Sequence, residues 1–209
     1  MASNEYHFVS VWHIPATPEE ISDVLGDAPA LARWWPSVYL AVEQVEPGDE
    51  RGVGKVVDLW TKGFLPYTLR WRFTVTGSEP PTGFRIEASG DFVGRGIWTL
   101  RLEAPDPLAG PRTTVTYDWL VIAEKGLLKD LSTVMKPIFG ANHRWAMARG
   151  EQSLKLELAR RHAASDPTIA AALPAPPGPT FPHNMRFLRR GGGRGSSGAS
   201  PPRSGGSAR

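Results

Sequence analysis

The chain has no cysteine among its 209 residues. Disulfides, thiolate nucleophiles and cysteine-held zinc are therefore excluded, and a reducing compartment suits it. Met1 to His13 lacks a basic stretch followed by an apolar one, so no secretory leader is expected. No apolar run approaches the ~18 to 20 residues of a membrane span. The sequence thus reads as a cytoplasmic protein without a transmembrane segment. Catalytic signatures are missing as well: there is no G-x-S-x-G elbow, phosphate loop, dinucleotide fingerprint or H-E-x-x-H. Gly52-Val53-Gly54 and Gly94-Arg95-Gly96 lack the following helix that phosphate binding needs. His7 and His13 share one strand but stand too far apart, at ~3.3 Å per residue, to hold one metal. Neither a metal nor a cofactor is expected.

Acid and lysine are missing from the C-terminal stretch. From Pro167 onward there are six arginines, no lysine and no acid, so this part carries +6 and residues 1–166 carry −3. The basic character of the whole chain belongs to its tail. The domain is no nucleic-acid binder by charge, and the tail offers at most weak, salt-sensitive attraction to polyanions. No specific nucleic-acid partner is expected, and nothing in the sequence signals an oligomeric state.

What is present is apolar and aromatic. Hydrophobic residues make up 41% of the chain, with 8 Trp, 8 Phe and 4 Tyr. Residues 6–14 are aromatic and β-branched, and read as a first strand. Thr17-Pro18-Glu19-Glu20 is a helix start: Thr17 is placed to cap, Pro18 suits the first turn, and Glu20 completes a capping box. A second short helix covers about 28–34 and stops before Pro36. Six strands follow, near 38–45, 55–62, 67–76, 84–89, 98–103 and 114–121. In most of these, apolar residues alternate with polar ones, as in Leu69-Arg70-Trp71-Arg72-Phe73-Thr74. Period-two alternation with short connections means an antiparallel sheet with one apolar face, which something must cover. The cover is a helix over about 125–162, where Leu128, Leu131, Met135, Phe139, His143, Met147, Gly150, Leu154 and Leu158 recur at helical spacing. Pro137 is expected to kink or break it. From about Ser165, Pro, Gly, Ala, Ser and Arg dominate, so residues 165–209 are expected to be a disordered basic tail behind a single domain at 1–164. Phe181, Phe187 and Leu188 are exceptions with the means to dock locally.

The element order and several local sequences resemble the SRPBCC superfamily, which includes START-like lipid-transfer and polyketide cyclase/dehydrase-like proteins. The residues that carry the resemblance are Ala16-Thr17-Pro18-Glu19-Glu20, Arg33-Trp34-Trp35-Pro36, Gly90 to Trp98, Thr113 to Val121 and Asn142 to Gly150. The resemblance implies an α+β helix-grip fold: a curved seven-stranded antiparallel sheet wrapped around a long C-terminal helix, with two short helices after the first strand. It also implies a hydrophobic cavity between sheet and helix that binds or transfers a lipid, sterol or polyketide-like molecule. The alternative it leaves open is a polyketide cyclase, aromatase or dehydratase. A third reading is an interaction module whose interior is filled.

Ligand-contacting residues are expected on the inner face of the sheet at Leu69, Trp71, Phe73, Phe84 and Ile86, and at Trp98, Leu100, Tyr117 and Trp119. On the helix stripe they are Met135, Phe139, His143 and Met147. Apolar and aromatic walls bury a greasy ligand, and Met adapts to its shape. For catalysis, His143 is the candidate general acid or base, with Tyr117 and Asn142 as candidate partners. Each of these has a plain structural alternative, a buried side chain that satisfies its own polar atom. Asp91 and Arg95, among Gly90, Gly94 and Gly96, are candidate polar groups at the pocket mouth if a bulge turns one inward; unbroken alternation leaves both facing solvent.

Overall fold

A computed structural model describes residues 5–104, 108, 110–123 and 132–180. The chain begins with β1 (Glu5–Ile14), turns into α1 (Pro18–Gly26), and continues through a 3₁₀ turn into α2 (Leu31–Trp34). Then come β2 (Tyr39–Glu46), β3 (Val56–Lys62), β4 (Thr68–Glu79), β5 (Gly83–Gly90), β6 (Phe92–Leu102) and β7 (Thr113–Ala123). The long α3 (Ser132–His162) and the short α4 (Pro167–Ala172) close the order.

The seven strands form one sheet in the order β1-β7-β6-β5-β4-β3-β2. Every neighbouring pair is antiparallel. The sheet, the helix across it and the two short helices after β1 make the helix-grip fold that the resemblance implies. Register places Phe84 opposite Trp98 and Trp98 opposite Tyr117. Those three rings form a ladder across the inner face, stacked at 6.0 and 4.2 Å. Such cross-strand aromatic pairs stabilise a sheet through contact beyond simple burial.

The start of α1 is built as its sequence dictates. Glu20 N–H donates to Thr17 Oγ1 at 3.3 Å, and Thr17 N–H donates to Glu20 Oε2 at 2.8 Å. Both exchange partners of the capping box are in place. The helix turns Ile21 and Val24 fully inward, into the core that also holds Ile14, Trp34 and Leu154.

Two ends of the interior differ. The C-terminal half of α3 packs solidly: Leu154 and Leu158 meet the buried rings and aliphatic groups of the first strand and short helices. Gly150 is part of that contact. A Cβ there would lie 2.3 Å from Trp35 Cζ2, so glycine is what lets the indole press against the helix backbone. Arg33 of α2 grips Glu157 of α3 with two bonds of 2.8 Å, and Arg161 adds a third at 3.2 Å. Earlier in α3, Phe139 and His143 touch Tyr6 and Phe8 of β1, and a cavity separates the helix from the strands farther along the sheet.

Two expectations are corrected. Pro137 does not break α3. It lies in the second turn, where its missing N–H removes a single intrahelical bond near an already open end. Leu100 is buried at 3% exposure but packs in the solid part of the core, outside the cavity. Residues 166–180, at the start of the expected tail, are among those described and include α4. Asp166 Oδ1 accepts from Thr168 N–H at 3.0 Å and Ile169 N–H at 3.3 Å, capping α4. The stretch after α4 is held by side chains of the domain. Residues 181–209 of the expected tail lie outside the described residues.

Candidate functional site

Between α3 and the concave face of the sheet lies a cavity of about 210 Å³. This exceeds the roughly 150 Å³ apolar void that holds benzene in an engineered protein core. Leu69, Trp71 and Phe73 come from β4, Phe84 and Ile86 from β5, Trp98 from β6, and Tyr117 and Trp119 from β7. Phe139, Asn142, His143 and Met147 come from α3. These candidates share one wall because period two in the strands and period 3.6 in the helix aim them at the same gap. The side chain of Met135 is outside the described residues.

Asp91 and Arg95 are not on that wall. Asp91 sits in the β5–β6 turn, where Oδ2 accepts from Arg70 N–H at 2.9 Å. Arg95 is exposed, opposite Leu120 of β7 and Glu87 of β5. Register between β6 and β7 runs unshifted from Phe92 to Leu102, so no bulge turns Arg95 inward.

Sequence reasoning missed part of the wall. Tyr6 and Phe8 of β1 line it, as do Trp35, Val38 and Tyr39 from the turn into β2. Thr61, Lys62, Gly63 and Tyr67 add the end near the β3–β4 connection. Alternation in β1 could have indicated Tyr6 and Phe8. Nothing local marks Tyr39 or Tyr67, whose place depends on the turn before β2 and the loop before β4.

All four tyrosines of the chain therefore line this one cavity. The Tyr39, Tyr67 and Tyr117 hydroxyls have no hydrogen-bond partner among the described residues. Burial pushes the Tyr117 phenol well up, and its neighbour Tyr39 adds to the effect. Burial raises Tyr39 as well, and raises Tyr67 to about 12, with Tyr6 contributing. The four phenols thus group as Tyr39 with Tyr117 and Tyr6 with Tyr67, all protonated at neutral pH. The indole Nε1 of Trp35, also on the wall, is buried without a partner among the described residues. By contrast Trp71 Nε1 is satisfied, donating to Thr61 Oγ1 at 3.0 Å.

His143 lies flat on Phe8 with ring centroids 4.3 Å apart, and its Nε2 is 3.3 Å from Ser10 Oγ. Burial, aided by Arg144, brings its pKa down to about 4. The imidazole is neutral near pH 7. Asn142 Oδ1 accepts from Leu65 N–H at 3.3 Å and so fastens the β3–β4 loop to α3. Among the described residues, no group of three or more His, Asp, Glu or Cys is placed to hold a metal. No helix among them is long and apolar enough to cross a membrane.

Known proteins bear on this arrangement. No curated protein matches the chain. Solved structures of similar fold include the Zhui aromatase/cyclase from Streptomyces sp. R1128, at 17% identity and a TM-score of 0.57, covering 78% of this chain and 98% of that one. A protein from Thermus thermophilus matches at 18% identity and a TM-score of 0.53, over 77% of this chain and all of that one (100%). The di-domain ARO/CYC BexL matches at 15% identity and a TM-score of 0.52, over 73% of this chain and 50% of that one. A family model described as polyketide cyclase / dehydrase and lipid transport matches residues 6–155, well over half of the sequence. The chain belongs to the polyketide cyclase/dehydrase and lipid transport family.

Proposed function

We propose that the protein binds and carries a lipophilic small molecule bearing oxygen functions, held in the cavity beneath α3. One observation carries this reading: all four tyrosines of the chain converge on an otherwise apolar wall, and three of their hydroxyls bond to nothing in the described protein. A polar group left unpaired in an apolar site costs free energy, and a ligand oxygen that accepts its hydrogen bond removes that cost. A plain hydrocarbon chain would leave these donors as they are. A ring system carrying carbonyl or hydroxyl groups would satisfy them while its faces rest on Trp98, Trp119 and Phe84. The unfilled interior speaks against the interaction module with a packed core.

Native mass spectrometry of purified protein tests the reading, together with thermal shifts across fatty acids, sterols and aromatic polyketides. Bound mass and upward shifts are expected, larger for oxygenated ring systems than for matched hydrocarbons. No bound mass and no shift across the whole panel would end it.

The cyclase, aromatase or dehydratase reading draws support from the family and from two solved structures of similar fold that are aromatase/cyclases. It would use Tyr39 and Tyr117 to polarise a carbonyl and His143 to move a proton. An imidazole held near 4 is a poor base at neutral pH, and the best proton-transfer groups titrate near the working pH. Asn142 is occupied with the Leu65 backbone. These points favour binding over turnover. A His143→Ala variant at full rate in a polyketide cyclisation assay would remove the acid–base role.

A further inference from the structure

We propose that the cavity selects a neutral aromatic carbonyl compound of one or two rings, held with its oxygen toward Tyr39 and Tyr117. The inference rests on the ligand-binding reading above and names the class of ligand within it.

Space sets the upper bound. A void of roughly 150 Å³ in an engineered core takes benzene, and pockets for drug-sized ligands hold roughly 300–1,000 Å³. The cavity here, about 210 Å³, is closer to the first. It has room for a second ring and a short arm, and too little for a sterol or a long acyl chain. The walls explain this size. Phe84, Trp98, Tyr117 and Trp119 stack in succession across the inner face, with centroids 6.0, 4.2 and 5.6 Å apart. Trp71 lies 5.9 Å from Trp119 and 5.2 Å from Phe92, which closes the end of that row. The space left over is bounded by aromatic faces and edges, and these favour a flat aromatic guest.

Gly96 bears on the same space. It sits on the inner face of β6, opposite Ile86 of β5 and Trp119 of β7. A Cβ there would fall 2.8 Å from Tyr117 Cε2, 2.8 Å from its hydroxyl oxygen and 3.0 Å from Ile86 Cγ1. The missing side chain lets the phenol lie against the β6 backbone, a close approach of the kind glycine within a strand allows. A larger residue at 96 would drive the phenol into the cavity. Charge narrows the class further. Lys62 is the one Lys, Arg, Asp or Glu among the described residues that line the cavity. Its ammonium donates to the Thr180 carbonyl. A carboxylate entering these walls would exchange its water for phenols and indoles, and an ion buried without a counter-charge is costly. A ketone or aldehyde oxygen asks for less. The Tyr39 and Tyr117 hydroxyls, which bond to no described residue, supply its two donors.

The test is isothermal titration of the full chain at pH 7.5, with thermal shift alongside. The probes are acetophenone, 2-acetylnaphthalene, 2-ethylnaphthalene, 2-naphthoate and progesterone. 2-Acetylnaphthalene is expected to bind most tightly, roughly 10-fold above acetophenone for the apolar area of one more ring. Progesterone should give neither heat nor shift. Gly96→Ala should weaken 2-acetylnaphthalene by roughly 5- to 150-fold, the worth of overpacking its site; the wild-type series stands whether or not this variant folds. Progesterone binding as tightly as 2-acetylnaphthalene, or 2-naphthoate binding more tightly, would overturn this class and leave the ligand-binding reading standing. An unchanged affinity in folded Gly96→Ala would overturn it too, because the probe would then lie elsewhere. A hydrocarbon that matches the ketone, 2-ethylnaphthalene, would instead overturn the oxygen recognition on which this inference rests. Silence from every probe also overturns the class, and the wider panel of fatty acids and aromatic polyketides then decides the ligand-binding reading.

Discussion

The imidazole of His143 rests on the phenyl ring of Phe8, with centroids 4.3 Å apart and planes inclined by 14°. Residues far apart in sequence thus join β1 to α3 across the cavity. The contact keeps the ring from water, and that lowers its pKa to about 4 against an ordinary 6.5. The folded value lies below the unfolded one, so the unfolded chain takes up this proton first. Stability is then full above about pH 6.5 and falls as pH drops toward 4, by about 3 kcal/mol from this group alone. In His143→Leu that contribution vanishes. Urea unfolding of wild type and variant at pH 7.5, 5.5 and 4.5 reads the difference; parallel losses in both proteins would refute the assignment.

Tyr39 and Tyr117 are coupled within the cavity, and neither hydroxyl bonds to a described residue. Removing either hydroxyl should therefore leave the thermal midpoint of the free protein unchanged or raise it, because an unpaired polar group is taken out of an apolar site. Affinity for an oxygenated ring ligand should fall roughly 2- to 12-fold for Tyr117→Phe, the worth of one hydrogen bond. Affinity for a matched hydrocarbon should not fall. Isothermal titration of both ligands against both proteins checks the pair of outcomes.

Gly150→Ala should destabilise the fold. The added Cβ would stand 2.3 Å from one carbon of the Trp35 ring and 2.5 Å from another. Trp35 is hemmed in by Trp34 at 5.5 Å and Trp12 at 5.7 Å, so it has little room to retreat. Overpacking of this kind costs about 1–3 kcal/mol, which exceeds the gain in helix propensity. Chemical denaturation gives the value. Because Trp35 also lines the cavity, a change in probe affinity should accompany it.

Arg33 and Glu157 tie α2 to α3 through paired bonds of 2.8 Å. The carboxylate is buried while the guanidinium reaches the surface, and the pairing holds the carboxyl below its usual range. Arg33→Met leaves that buried charge with Arg161 alone. A loss of about 1–3 kcal/mol is expected, from hydrogen bonds to a charged group. Arg33→Lys should recover only part of it, since lysine lacks the fork that meets both oxygens. Thermal unfolding of the three proteins orders them.

Much of this was legible in the sequence because it is periodic. Leu69, Trp71 and Phe73 alternate, and Phe139, His143 and Met147 step by one helical turn, so each set declares its face without reference to the other. The Thr17–Glu20 capping box is equally local. Alternation also put Asp91 and Arg95 on the outside, where they lie. What the pattern cannot express is distance across the interior. Leu100 and Trp98 alternate alike, yet Leu100 is buried away from the cavity and Trp98 lines it.

The rest arose from long-range contacts. Tyr39 and Tyr67 stand outside any clear period, and the closing of β2 and β4 onto the sheet is what sets them beside Tyr117 and Tyr6. Composition read residues 165–180 as unable to order themselves, which holds for a chain with no core of its own. The contacts that Pro174 and Thr180 make come from groups supplied elsewhere, Arg160, Lys62 and Gly63, and a partner that distant in sequence leaves no mark on the segment it touches. Local pattern settles which faces shun water; folding settles how far apart those faces stand, and so where the cavity lies.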